Sequence, residues 1–354
     1  MLYRENGQYK TSYRADQQIF PIVQDRWVVL ALLACAWCVV PFVASDYLLR
    51  AIAVPFLILA LAAIGLNLLV GYCGQISLGS GAFMAVGAYA AYNLYVRVPG
   101  VNVVVAFAFG GLMAMATGVL FGLPSLRIKG LYLAVATLAA QFFSDWLFQR
   151  IKWFSNDSAS GSVSVPELDF LGWPVASPAQ KYLFCLAIVT VMALAAKNLV
   201  RGHVGRSWMA MRDMDVAAAV IGIRPVTAKL TAFAMSSFFI GVAGAMWAFV
   251  YLGSWEPAAF DVNRSLNLLF MIIIGGLGSI LGSFFGAAFI IVLPLLLSRV
   301  PEWLGAPIST ATASHLELMI FGALIVFFLI AEPHGLARLW AIGKEKLRLW
   351  PFPH

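Results

Sequence analysis

Between Arg50 and Arg97 the chain runs for 46 residues without one charged side chain, and between Arg264 and Arg299 for another 34. A helix crosses the hydrocarbon core of a bilayer with about 20 predominantly apolar residues. In that medium every backbone amide must be bonded internally, which leaves helices or a closed barrel. The dyad alternation of barrel strands is absent. Soluble domains carry roughly a quarter charged residues; this chain of 354 carries 11%, with 62% hydrophobic residues. The expected fold class is therefore an all-α polytopic membrane protein, with some helices broken.

The charge pattern divides the chain. A polar tail, 1–26, contains no apolar stretch of the kind that makes a cleavable leader. Apolar spans are expected at 27–44, twice between 50 and 97, and at 103–122, 131–148, 182–196, 230–255 and 315–331. The two near the start are separated by a Gly-rich break, Gly71–Gly81. The uncharged run 265–298 is too long for one crossing and short for two. If it crosses twice, in shortened or broken form, the two tails, the turn 124–130 and the segment around 201–229 share one side. That side then holds 16 of the 23 Lys/Arg, as cytoplasmic loops do. The expectation is ten spans, a transmembrane domain over 27–331, and cytoplasmic tails at 1–26 and 332–354. The net charge of +7 is scattered over several loops, which points to topology and not to nucleic acid.

One polar island interrupts the apolar sequence, RGHVGRSWMAMRDMDVAAAVIGIRPVTAK from Arg201 to Lys229. From Lys197 to Lys229 it holds six Lys/Arg against Asp213 and Asp215. Ser207–Ile223 has helix-forming composition, with Gly205-Arg206 at its entry and Gly222…Pro225 at its exit. It reads either as a surface helix that a partner pushes against or as a basic loop that only sets topology.

No phosphate-binding GxxxxGK[ST], GxSxG, HExxH or paired carboxylate occurs, so no catalytic site, metal or cofactor is expected. The CxxC of Cys35 and Cys38 lies mid-span without a second pair or a histidine nearby, and it reads as apolar packing. Polar groups at membrane depth are more informative. Asn67, Gln75, Ser77 and Ser80 flank or occupy the Gly71–Gly81 break, and Thr137 and Gln141 lie one turn apart on one face. They serve either a route for a polar solute or hydrogen bonds between helices. Asn267 belongs to Ser265-Leu266-Asn267-Leu268-Leu269, which echoes Gly65-Leu66-Asn67-Leu68-Leu69. Gly278, Gly282 and Gly286 space out a close-packing helix face, as do Ser237, Gly241 and Ala245. Asp145 and Glu317 lie near span ends, where a carboxylate can reach water.

Four stretches carry a resemblance. They are GLNLLVGYCGQISLGSGAFMAVGAY (65–89), LRIKGLYLAVATLAAQ (126–141), GRSWMAMRDMDVAAAVIGI (205–223) and SLNLLFMIIIGGLGSILGSFFGAA (265–288). In this order they resemble the membrane permeases of ABC importers for branched-chain and other hydrophobic amino acids, the LivM-type subunits. The resemblance implies about ten spans, pairing with a second homologous permease, two cytoplasmic ATPase subunits that bind the ATP, and a periplasmic substrate-binding protein. The setting implied is the bacterial inner membrane. The loop 199–229 then looks like the coupling segment, with Gly205, Arg206, Arg212, Asp213, Asp215, Ala217, Ala218 and Gly222 forming or shaping the ATPase contact. Ala217, Ala218 and Gly222 fit the importer pattern, whereas Val216 stands where its Glu is expected. Related permeases also carry urea and amides or small carboxylates. An ion-coupled carrier working alone would need an ionisable group at the midplane, and only Glu317 comes near.

Overall fold

The computed structural model describes residues 11–12, 23–123, 131–156, 173–304 and 335–349, with parts of 158–170 and 319–330. Helix α1 (Val23–Cys38) runs on into the short α2 (Val40–Val43), together an apolar rod with no fully buried residue among those described, its half-buried Ala36 and Val40 packed on the core. Cys35 and Cys38 are exposed on it, not packed inward. The Ser45 hydroxyl accepts from the Leu48 amide and starts α3, Asp46–Tyr72. There follow α4 (Ser80–Arg97), α5 (Val103–Gly122), α6 (Leu131–Arg150) and α7 (Pro178–Arg201), the last opened by a Ser177/Gln180 capping box. The polar segment comes next, then α10, Pro225–Leu252. A 3-10 turn, Pro257–Phe260, leads into α11 (Val262–Gly275), α12 (Ile280–Leu304) and finally α13 (Gly335–Leu349).

The protein is an all-α polytopic membrane protein. Six helices among the described residues are long and apolar enough to cross a bilayer, fewer than the ten expected. Helices α4 and α6 fall outside that class because Asn93, Arg97, Gln141 and Asp145 dilute them. Helix α12 is apolar over Ile280–Leu296. Much of the expected last span, with Glu317, lies outside the described residues.

Helices α3 and α10 form the core, and α4 and α5 pack across α10. The contacts are made backbone to backbone through small residues. A Cβ at Gly87 would strike the Gly241 carbonyl, and one at Gly244 would strike the Met84 backbone. Lipid tails are as apolar as leucine, so helices in a bilayer gain from this close approach and not from burial. The run 265–298 is divided by a turn at 276–279. From there α11 and α12 return as an antiparallel pair, with Gly282 against the Gly275 carbonyl and Gly286 against that of Met271. Gly278 is not on that helix face. It sits in the turn at φ +74°, where Gly275 takes over its packing role.

Two pairs of two-residue strands tie loops between the helices. Strand β1 (Val163–Ser164) pairs antiparallel with β4 (Ser254–Trp255), and β2 (Asp169–Phe170) with β3 (Trp173–Pro174).

Candidate functional site

At one end of the bundle α3 stops at Tyr72, and residues 74–79 run without helix until α4 begins. Such a start leaves the first amides of α4 without helical partners. The neighbouring helices supply them. The Leu78 amide donates to Thr137 Oγ1 at 2.9 Å, the Gly81 amide to Ser265 Oγ at 2.7 Å, and the Ala82 amide to Gln141 Oε1. Gln141 also donates to the Phe260 carbonyl and to Asp145 Oδ1, so one side chain on α6 binds α4 to the entry of α11. Ser77 Oγ accepts from the Gly79 amide at 3.4 Å. Thr137, Gln141, Ser77 and Ser265 are thus occupied with the broken backbone. Among the described residues, only the buried Gln75 Oε1 and Ser80 Oγ of this break lack a hydrogen-bond partner. Replacing Thr137 by Val keeps the shape and removes the acceptor. A buried amide left unmet costs about 1–3 kcal/mol, so Thr137→Val is expected to lower the thermal midpoint of the purified chain without altering its helix content.

Asn67 faces the other way. Its Nδ2 lies 2.9 Å from the Ser279 carbonyl and 3.0 Å from Ser283 Oγ, with the Gly276 carbonyl at 3.3 Å. Its Oδ1 accepts from the Gly278 amide at 2.9 Å. One buried side chain on α3 therefore satisfies the turn between α11 and α12. Its sequence echo, Asn267, is half-buried on α11 and has no equivalent place at a turn.

The polar segment lies against this junction. It forms two helices, α8 (His203–Asp213) and α9 (Asp215–Val220), where one helix over Ser207–Ile223 was expected. Met214 between them is extended, at φ −154° and ψ 98°. Each piece anchors separately. Trp208 is fully buried on α8 and donates to Thr231 Oγ1 on α10, while Ala218 is the buried residue of α9. Gly205 lets α8 fold back on the Val200 backbone. Gly222, at φ +93°, provides the turn into α10.

Arg212 joins the segment to the broken helices. Its Nη1 donates to the Gly71 carbonyl at 2.9 Å, at the end of α3, and its Nε to Asp213 Oδ1 at 3.0 Å. Its side chain covers Gly74 and reaches Gly278. Arg206 is exposed and donates to the Arg201 carbonyl. Asp215 is half-buried and Ala217 exposed. Between the 73–76 loop and this segment opens a cavity of about 590 Å³, into which Arg212, Asp213, Asp215, Lys229 and Gln75 contribute.

The feature that motif reading missed is apolar. Met214, Val216, Val220 and Ile221 are 71%, 72%, 83% and 74% exposed, in a segment whose charge is expected to keep it in water. The signal was present, since four large apolar residues interrupt a basic stretch, but an exposed patch is recognised only when burial is known.

Residues 48–329 match the family model described as the permease component of branched-chain amino acid transport systems. The LivM permease protein of the Escherichia coli K12 high-affinity branched-chain amino acid transport system is 30% identical over 336 residues, covering 87% of this chain and 73% of that one. The LivM protein of Salmonella typhimurium LT2 is 29% identical over 343 residues, covering 89% and 75%. The autoinducer 2 import system permease LsrC of Enterobacter sp. strain 638 is 26% identical over 209 residues, 57% of this chain and 58% of that one. No solved structure matches the chain. The chain therefore belongs to the family of branched-chain amino acid transport system permease components.

Proposed function

We propose that this chain is one transmembrane subunit of an ABC importer for branched-chain or related hydrophobic amino acids. It sits in the inner membrane with both termini cytoplasmic, beside a second homologous permease. Two separate ATPase subunits serve the pair of permeases, α8–α9 being this chain's contact with them, and a periplasmic binding protein delivers the solute. The chain itself holds no nucleotide; closure of the ATPases shifts α8–α9, and the bundle changes the side to which it opens. A partner drives such a shift only through different affinities for the two states.

The observation that carries this reading is the apolar face of α9. An exposed cluster of large apolar side chains beside basic residues is the composition of a protein interface, and behind it Arg212 reaches the break in α3. The test is the double substitution Val216→Asp/Val220→Asp, which puts two charges in that face and leaves the buried Ala218 alone. The expected result is loss of ATPase co-purification and of ATP-driven uptake in proteoliposomes, with the permease still inserted and folded. Retained co-purification would remove α9 as the docking face. Uptake by the purified polypeptide alone would refute the importer reading in favour of a carrier. Ligand binding by the cognate periplasmic protein separates amino acids from urea, amides and small carboxylates.

A further inference from the structure

Helix α13 lies along α12, and between them runs an apolar groove of about 570 Å³ lined by Phe285, Phe289, Val292, Leu296, Leu339 and Trp340 among others. Its α12 wall extends from Phe285 to Leu296, about 16 Å at 1.5 Å per residue. One leaflet of the hydrocarbon core is about 15 Å deep, half of the roughly 30 Å total. The groove thus has the length of an acyl chain. Trp340, half exposed at its rim, meets the Phe285 ring at 5.9 Å.

The helix that forms the other wall is basic. It carries Arg338, Lys344, Lys346 and Arg348 against one acid, Glu345. Lys344 follows Trp340 by one helical turn, on the stripe that lines the groove. It lies within electrostatic reach of Lys197 near the end of α7, which also faces Arg201 and the carboxylate of Asp25. Arg206 bonds the Arg201 carbonyl and adds a further cation nearby. Among the described residues the buried Nη1 of Arg201 meets no hydrogen-bond acceptor. Three cations from two helices, Lys197, Arg201 and Lys344, are thus brought near one another, with the carboxylates of Asp25 and Glu345 beside them. Basic clusters on an amphipathic helix at a membrane surface attract anionic lipid.

We propose that this groove and its basic rim hold one anionic phospholipid, an acyl chain along α12 and the phosphate among Lys197, Arg201 and Lys344. The site also bears on the junction described above. Gly335 opens α13 at φ +69° with its Cα packed on the Gly276 backbone, so a lipid that seats α13 steadies the turn that Asn67 holds.

The test uses the full chain in nanodiscs of equal phosphatidylcholine and phosphatidylglycerol, with retained lipids counted by native mass spectrometry. Phosphatidylglycerol is expected to be retained in preference. A basic residue near an anionic surface is worth about 1 kcal/mol, or roughly fivefold. The triple variant Lys197→Gln/Arg201→Gln/Lys344→Gln should therefore lose at least about tenfold of that preference. Ala288→Trp fills the groove, keeps the charges, and should remove bound lipid of either headgroup. Should the triple variant fail to fold, Lys344→Gln alone carries one fivefold step. Equal retention of the two lipids by the wild-type chain overturns the proposal, as does undiminished retention by Ala288→Trp. So does loss of the lipid when the chain assembles with its partner subunits, which would put a protein in the groove instead.

Discussion

Gly71→Val is expected to give a chain that inserts but does not hold its native packing, with a stability loss of about 3–6 kcal/mol. Two broken helices meet at Gly71. A Cβ there would collide with Asn67 Oδ1 and with the Gly278 amide, the two atoms that bond each other across the junction. Valine must push apart the end of α3 and the 276–279 turn. Overpacking of that kind costs about 1–3 kcal/mol. Each buried polar group left unmet costs about 1–3 kcal/mol more, and Asn67 stands to lose its bonds to the Gly278 amide and the Ser279 carbonyl. Inside a bilayer no water replaces them. The check is thermal unfolding in detergent, with Gly343→Ala as control because nothing lies within 4 Å of a Cβ there. Asn67→Leu should resemble Gly71→Val, since both open the same junction. A Gly71→Val chain that unfolds alongside the control would show that the junction yields without loss, and would end the claim that Asn67 holds it.

That junction also shows which parts of the molecule are legible in a sequence. Uncharged runs identify membrane helices because the cost of burying charge is local and additive along the chain. The breaks were legible for a similar reason, since Gly and polar groups cluster at 71–81. Partnership across them is not local. Asn67 bonds residues more than two hundred positions away, and nothing in the spacing of either segment encodes that approach. Gly278 illustrates the opposite error. Its four-residue spacing to Gly282 suggested a helix face, yet Gly275-Gly276-Leu277-Gly278-Ser279 is a stronger break signal than packing signal. The polar segment was legible as a helical region and misread as one rod: Trp208 and Ala218 are buried on two separate helices, with the chain extended at Met214 between them.

The largest effect on function is expected from Arg212→Glu, in which ATP hydrolysis by the assembled transporter continues within about twofold while uptake falls by about 10- to 100-fold. Arg212 is the one side chain of α8 that bonds the end of α3, where the helix dipole leaves carbonyls partly negative. A guanidinium there makes a charge-assisted bond worth about 1.5–3 kcal/mol. Glutamate reverses the sign against the Gly71 carbonyl and against Asp213, so the bond becomes a repulsion. The apolar face of α9 remains intact, so the ATPases should still dock and turn over, but their movement would no longer reach the break between α3 and α4. Arg212→Lys keeps the charge and loses the fork that spans Gly71 and Asp213 together, so it should fall between wild type and Arg212→Glu. Asp213→Asn removes only the exposed ion pair, which is worth little in water, and should leave uptake near normal. Hydrolysis and uptake are measured on the same proteoliposomes, so that a shortfall in assembly lowers both and loss of transmission lowers one. If Arg212→Glu depresses the two in parallel, Arg212 serves docking or folding. If it depresses neither, the contact with Gly71 plays no part in transmitting the ATPase movement.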